Sequence, residues 1–196
     1  MSHSTIIKTG VKLLHATPES LIVHAGRHSY QSFEKASELS DAQLLRHFAN
    51  QKEGPLKFSF AMFDVECSYA AHAHYARHTF LVQNWLSQRY TGSVGVIVPE
   101  GLNEQQAAAY VGAMEASQRA YDLLRELGAK KQDARYVQGQ GVVIRGSVAG
   151  NAMAFMDILK LRRAKKAMPE SRRIADLIHA ELTQAWPTLF PVEDEQ

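Results

Sequence analysis

The sequence RHTFLVQNWLSQRY, residues 77–90, places two arginines, a histidine, a serine, an asparagine and a tyrosine between apolar flanks. A histidine-rich run, HAHYARH at residues 72–78, leads directly into it. So many polar groups are costly to order unless they hold a ligand or one another. Arginine suits a phosphate, because its guanidinium fork donates two parallel charged hydrogen bonds. The segment therefore predicts an anion-binding site.

Composition predicts a cytoplasmic globular protein. The 196 residues are enough to bury a core and are expected to form one domain, 1–196. A hydrophobic content of 45% and a charged content of 21% are ordinary for a soluble protein. The net charge of +2 argues against nucleic-acid binding, and the apolar runs are too short for a membrane span. The N-terminus lacks signal-peptide features, and the single cysteine, Cys67, is interpreted as a packed thiol in a reducing compartment.

Periodicity and capping signals predict helices and strands that are mixed without regular alternation, which favours the α+β class. Strands are predicted near residues 11–14, 58–62, 90–98 and 135–148. Helices are predicted from Thr17 as N-cap, over 40–50 from a capping box at Ser40, and over 69–86. Three more are predicted after Asn103 up to Gly128, over 152–163, and over 170–185.

The sequence of residues 77–90 resembles the signature of the flavin-dependent thymidylate synthases. In that signature Arg77-His78 is followed by a third defined position, by seven further residues and then by Ser87. The third position is Thr79, where the family usually has arginine. Other segments match the family in order, namely VKLL at 11–14, FSF at 58–60, DARYV at 133–137, Asn151, Leu161-Arg162 and WPTLF at 186–190. The resemblance covers nearly the whole chain. It implies a thymidylate synthase-like α+β fold, with a mixed sheet and flanking helices.

The resemblance also implies the activity and the nucleotide site. In the family a homotetramer uses FAD, NADPH and methylenetetrahydrofolate to methylate C5 of dUMP. By position, the residues that would bind a dUMP- or UMP-like nucleotide here are Arg77, Ser87, Arg89, Arg135 and Arg162. Arg162 would polarise the uracil as a catalytic residue. His74 stands where the family has a glutamine, and an imidazole there could move a proton near neutral pH.

The positions that correspond to the flavin and folate side depart from the family. The cofactor-binding positions are Arg77, His78, Thr79, Trp85, Asn151 and Met153. Thr79 and Met153 replace arginines, which removes donors for the FAD pyrophosphate, and Trp85 replaces a glutamate. The segment 52–57 is shortened, and QGQ at 138–140 replaces Leu-Pro-Leu. These departures predict a diverged member with an altered substrate or altered chemistry.

Two alternative functions stay open. The first is a relative that has lost FAD and binds a nucleotide without catalysis. The second is a repurposed enzyme of specialised metabolism that uses a metal at His74 and His78, which are four residues apart and would share a helix face; the leading interpretation has no metal. Structural roles are also open for single residues, with Ser87 as a cap, Asn151 as a turn residue and the basic run 162–166 as a solvated helix face.

Overall fold

A computed structural model describes residues 5–52, 54–92 and 95–192. Four strands form one sheet in the order β1-β2-β4-β3, with β1 at Gly10–Ala16, β2 at Ala61–Ser68, β3 at Val82–Trp85 and β4 at Val143–Gly150. All three strand pairings are antiparallel. Among the described residues, parallel pairing is limited to an isolated bridge between Ile6 and Val96. The predicted α+β class is confirmed, but the four-stranded sheet is antiparallel rather than mixed, since the parallel bridge lies outside its strands.

Helices surround the sheet. Within the described ranges they are α1 (Glu19–Tyr30), α2 (Glu38–Gln51), α3 (Tyr69–Tyr75), α4 (Glu104–Glu126), α5 (Lys131–Ala134), α6 (Ala152–Arg162) and α7 (Pro169–Ala185). One continuous core joins the inner face of the sheet to α1, α2, α6 and α7. No helix in the described part of the chain is long and apolar enough to cross a bilayer.

Strand β2 shows how the sheet is divided into two faces. Phe63, Val65 and Cys67 are buried, whereas Asp64 and Glu66 point to the opposite face, because successive side chains of a strand alternate. Burial raises the pKa of the Cys67 thiol. Cys67 is therefore a protonated packing group, as predicted.

Capping residues predicted the ends of α4 correctly but misplaced the N-termini of α1 and α2. The long helix α4 begins after an Asn103–Gln106 capping box and is followed by Gly128 at φ +89°, as predicted. The N-cap of helix α2 is Ser37, three residues before the predicted Ser40, because the capping box is formed by Ser37 and Ser40. Helix α1 begins at Glu19, with Pro18 rather than Thr17 as its N-cap.

The helix predicted over residues 69–86 is wrong beyond Tyr75. Helix α3 ends there, and residues 82–85 form β3, which pairs with β4. The strand predicted over 90–98 is reduced to an isolated bridge at Val96, while residues 93–94 lie outside the described ranges. The strand predicted over 135–148 begins only at Val143, after a short 3₁₀ helix and a loop. In each case long-range pairing decided the structure, and local pattern could not reveal it.

Helices α1 and α2 approach closely at a glycine. A Cβ atom on Gly26 would overlap the ring of Phe48, which is fully buried. The next residue, Arg27, is also buried, and its guanidinium bonds Asp41 of α2 and the Ser40 hydroxyl. The small residue and the ion pair together set the packing of these two helices.

We expect Gly26→Ala to lower the free energy of unfolding by about 1–3 kcal/mol, because the new methyl group must displace the Phe48 ring. The matched control is Gly112→Ala in α4, where a Cβ would meet nothing within 4 Å. That variant should be more stable by about 0.5–1 kcal/mol, because alanine favours the helix. Urea unfolding measures both, and shifts of the same sign would contradict the proposed packing.

Candidate functional site

The guanidinium of Arg162, the last residue of α6, lies between two histidines. Its Nε donates to Nε2 of His78 at 3.0 Å, and Nη2 donates to the carbonyl oxygen of His74 at 2.7 Å. Nη2 is also 2.8 Å from His78 Nε2, and Nη1 is 3.3 Å from His74 Nδ1. The structure therefore brings together three predicted site residues from distant parts of the chain. We call Arg162, His74 and His78 the arginine–histidine cluster.

The orientation of α3 places both histidines. Ser68 ends β2 and caps α3, because its Oγ accepts from the Ala71 N–H at 3.0 Å. The same hydroxyl donates to Glu170 Oε2 at 2.5 Å, and the Ser68 N–H donates to Oε1 at 2.7 Å. Glu170 is in the first turn of α7 and is buried. This contact fixes the start of α3, and hence the approach of His74 to Arg162.

The histidines of this region are held neutral. Burial, followed by the charges of Arg162 and Arg77, lowers the pKa of His74. Burial and then Arg162 lower the pKa of His78, and burial lowers that of His72. A neutral His78 that accepts at Nε2 carries its proton on Nδ1. Near pH 7 the arginine–histidine cluster therefore has one positive charge, that of the guanidinium.

Gln83 of β3 connects the cluster to Trp85. Its amide nitrogen donates to the carbonyl oxygens of Tyr75 and His78 at 2.9 and 3.1 Å, and its Oε1 accepts from Trp85 Nε1 at 2.9 Å. The Trp85 ring lies where a side chain on Gly146 would be, and its centroid is 4.7 Å from that of His72. Sequence reasoning missed Gln83. If residues 82–85 had been recognised as a strand, a glutamine on the same face as Trp85 would have been the signal.

A second group of predicted residues surrounds a cavity of 310 Å³, which we call the arginine pocket. Its walls are formed by Tyr69, Gln88, Arg135, Tyr136, Gln138, Gly139, Gln140 and Val142. Arg135 is exposed, and its side chain forms no hydrogen bond or ion pair with other described residues. Ser87 and Arg89, both exposed, flank Gln88 in the chain. Lys131 Nζ donates to the Tyr90 carbonyl at 2.9 Å, which ties α5 to this turn.

The other predicted cofactor residues do not join either cluster within the described chain. Arg77 and Thr79 are exposed in the turn after α3. Asn151 caps α6, because its Oδ1 accepts from the Ala154 N–H at 2.9 Å, and Met153 packs against the core. Asn151 lies at the opposite end of α6 from Arg162, roughly 16 Å away at the helical rise. The structural role that the sequence left open for Asn151 was that of a turn residue, whereas the structure shows the N-cap of α6; its cofactor role stays a prediction.

The geometry does not favour a metal at His74 and His78. Ring nitrogens of both residues face the guanidinium of Arg162, so a metal cation between them would be repelled by a fixed positive charge. Among the residues that the structure describes, no group of three or more His, Cys, Asp or Glu side chains could hold a metal ion.

The fold and the two clusters define an antiparallel α+β protein with an arginine-bearing polar site. The chain belongs to the family described as thymidylate synthase complementing protein, whose model matches residues 12–188. The resemblance inferred from residues 77–90 is therefore confirmed.

Individual relatives agree with this assignment. The flavin-dependent thymidylate synthase of Mycobacterium marinum is 28% identical over 199 residues, which cover 88% of this chain and 78% of the relative. The enzyme of the same name from Haloarcula marismortui is 27% identical and covers 95% of each chain. The crystal structure of the UMP/dUMP methylase PolB from Streptomyces cacaoi, bound with 5-Br dUMP, superposes with a TM-score of 0.84. It is 21% identical and covers 93% of each chain, which supports the fold.

The lowered histidine pKa values predict that acid destabilises the protein. The unfolded chain binds protons at these residues near pH 6.5, whereas the folded chain binds them only at lower pH. The free energy of unfolding should therefore be greatest above pH 6.5 and fall as the pH drops through the folded pKa values. Urea unfolding between pH 7.5 and 5.5 measures this. His78→Gln should reduce the slope, whereas His15→Gln, at an exposed position of β1, should not; equal slopes in all three proteins would contradict the explanation.

Proposed function

We propose that the protein is a flavin-dependent thymidylate synthase-like enzyme, which binds a pyrimidine nucleotide such as dUMP or UMP and modifies C5 of the base, by methylation or related reductive chemistry. The observation that carries the proposal is Arg162, whose guanidinium is held against two neutral histidines in a chain of this family. The relatives named above supply the class of reaction.

The nucleotide phosphate is assigned to the arginine pocket and its surroundings. Arg135 presents a guanidinium without a protein partner in the described chain, and Arg89 is exposed beside Gln88. Guanidinium groups bind phosphate through charge-assisted, bidentate hydrogen bonds. Ser87 adds a hydroxyl at the same turn. Arg77, exposed after α3, completes the predicted set and lies near enough to His74 to affect its pKa.

Arg162 is assigned to the uracil ring. Two acceptors from the protein, the His78 ring and the His74 carbonyl, fix the plane of its guanidinium. Nη1 lies 3.3 Å from His74 Nδ1 and has a second N–H that can donate to the base. A preorganised positive charge stabilises the enolate that forms on the base during C5 substitution. His74 would take the proton displaced from C5, because its lowered pKa keeps the imidazole neutral, and so able to act as a base, near pH 7.

The turn after α3 is assigned to FAD. Arg77 and Thr79 expose a guanidinium and a hydroxyl there, and these groups fit a pyrophosphate. His78 would lie beside the flavin, while Trp85, Asn151 and Met153 already serve the packing of the chain. When bound, the flavin would supply the redox chemistry. NADPH as reductant, a folate as carbon donor, a homotetramer and a cytoplasmic location remain part of the proposal through the family.

One observation favours a second function, a nucleotide binder that has lost FAD. The Trp85 side chain is committed to contacts with Gln83, His72 and the backbone of Gly146, and Met153 to the core. Neither position is free to hold a cofactor within one chain. Such a protein would keep the arginine pocket and act through nucleotide binding alone.

The role of Arg162 is tested by Arg162→Ala, assayed by tritium release from C5 of labelled dUMP and UMP. We expect turnover to fall about 10²–10³-fold, because the developing negative charge loses a preorganised donor. The matched control is Arg163→Ala at the same helix end, where Nε is bonded to Asp176 at 2.8 Å. This control should keep wild-type turnover. An unchanged rate in Arg162→Ala would remove the assignment.

An absorbance spectrum separates the two functions. The purified protein is recorded before and after addition of FAD and removal of the excess. We expect a retained flavin band, and Arg77→Ala should weaken it by removing the exposed guanidinium of this turn. Nucleotide binding with no retained flavin in the wild type would instead identify the protein as a binder without redox chemistry.

A further inference from the structure

Two histidines of α1 turn ring nitrogens toward each other at the protein surface. His24 and His28 are four residues apart, so they lie on one face of the helix, and both are exposed. Their Nε2 atoms are 3.3 Å apart, whereas their ring centroids are 4.9 Å apart, so each ring directs its Nε2 toward the other. Neither residue belongs to the arginine–histidine cluster or lines the arginine pocket.

The distance between the two nitrogens matches that between two ligands of one zinc ion. A Zn–N bond of about 2.0–2.1 Å and a tetrahedral angle of about 109° place two nitrogen ligands about 3.3–3.4 Å apart. Adjacent ligands of a square-planar ion with similar bonds would be only about 2.9 Å apart. The pair at positions 24 and 28 therefore has the spacing for a tetrahedral ion without movement of the chain. Two histidines with the same i, i+4 spacing on a helix bind zinc in the H-E-x-x-H motif.

The ring of Phe33 restrains both imidazoles. Phe33 begins the short 3₁₀ helix Phe33–Lys35, which follows the left-handed residue Gln31 at the C-terminus of α1. Its ring centroid lies 5.3 Å from that of His24 and 4.9 Å from that of His28. Contact with an aromatic ring limits the rotamers of the two histidines, so less side-chain entropy is lost when an ion binds. The two ligands are therefore preorganised.

The protons and charges at this pair are compatible with a cation. When both imidazoles are neutral, one Nε2 must donate to the other, because two lone pairs at 3.3 Å would repel. A zinc ion would replace the shared proton, and both rings would then carry their hydrogen on Nδ1. The adjacent Arg27 is buried and paired with Asp41 of α2, so its charge is compensated. This setting differs from that of His74 and His78, whose ring nitrogens face the guanidinium of Arg162.

We propose that His24 and His28 bind one Zn²⁺ ion through their Nε2 atoms, and that the bound ion stabilises α1. Among the described residues no third His, Cys, Asp or Glu side chain joins the pair, so water would occupy the other positions around the ion. The folded helix holds the two imidazoles together and the unfolded chain does not, so binding of the ion favours the folded state. The site needs neither a nucleotide nor a flavin, and so it does not depend on the proposed function.

The test is a calorimetric titration of untagged, metal-free protein with Zn²⁺, for the wild type, His24→Gln and His28→Gln. We expect the Kd of one zinc site to rise about tenfold or more in each variant, because the remaining imidazole loses its intramolecular partner. Zn²⁺ should raise the unfolding temperature of the wild type, and both variants should lose most of this increase. The matched control is His15→Gln, at an exposed position of β1 with no histidine four residues away, and it should keep the wild-type Kd and temperature increase.

A wild type that binds no Zn²⁺, or zinc binding that is the same in the wild type and both α1 variants, would overturn the inference. An effect of His15→Gln as large as that of His24→Gln would do so too, because the ion would then not be specific to the pair. Nitrogen NMR of the histidine side chains locates the ion directly. We expect Zn²⁺ to shift the Nε2 resonances of His24 and His28, and shifts confined to other histidines would contradict the assignment. Since positions 24 and 28 are exposed, both glutamine variants are expected to fold.

Discussion

The arrangement of the site depends on one buried carboxylate, that of Glu170. A buried charge is tolerated only when hydrogen bonds satisfy it, and here the donors are the Ser68 N–H, the Ser68 hydroxyl and the Thr9 hydroxyl at 3.1 Å. These contacts join the first turn of α7 to the end of β2 and to the residue before β1. Because Ser68 also caps α3, the carboxylate determines where that short helix starts and which way it points. A seven-residue helix has little stability of its own, so its direction must come from such tertiary contacts.

Helix α3 in turn makes the electrostatics of the site possible. A guanidinium cannot lose its charge, so the groups around Arg162 must be acceptors or neutral. The His74 carbonyl and the two imidazoles meet this requirement, and burial, followed by the nearby charge of Arg162, lowers the pKa of both rings and keeps them unprotonated. The same reasoning explains why Gln83 is useful beneath the cluster. Its amide donates to the carbonyls of Tyr75 and His78, each of which also accepts a backbone N–H, and so it holds the end of α3 against β3.

Much of the architecture could be predicted from local signals, and most of the site could not. The ends of α4 were evident from Asn103 and Gly128, because capping and a positive φ are properties of a few neighbouring residues. The contact of Arg162 with His78 joins positions 84 residues apart, and only the family resemblance placed them in one site. Strand β3 was predicted as helix, since residues 82–85 become a strand only through pairing with β4. That error also hid Gln83 and the internal role of Trp85.

The close approach of Trp85 to Gly146 makes the residues that each of the two positions can accept depend on each other. The indole occupies the volume that any side chain at 146 would need. A larger residue at 146 would clash while the tryptophan remained, and a smaller residue at 85 would leave an unfilled hollow over the glycine. Each single step therefore passes through a less stable protein. The free energies of substitution at 85 and 146 are therefore expected to be coupled and not additive.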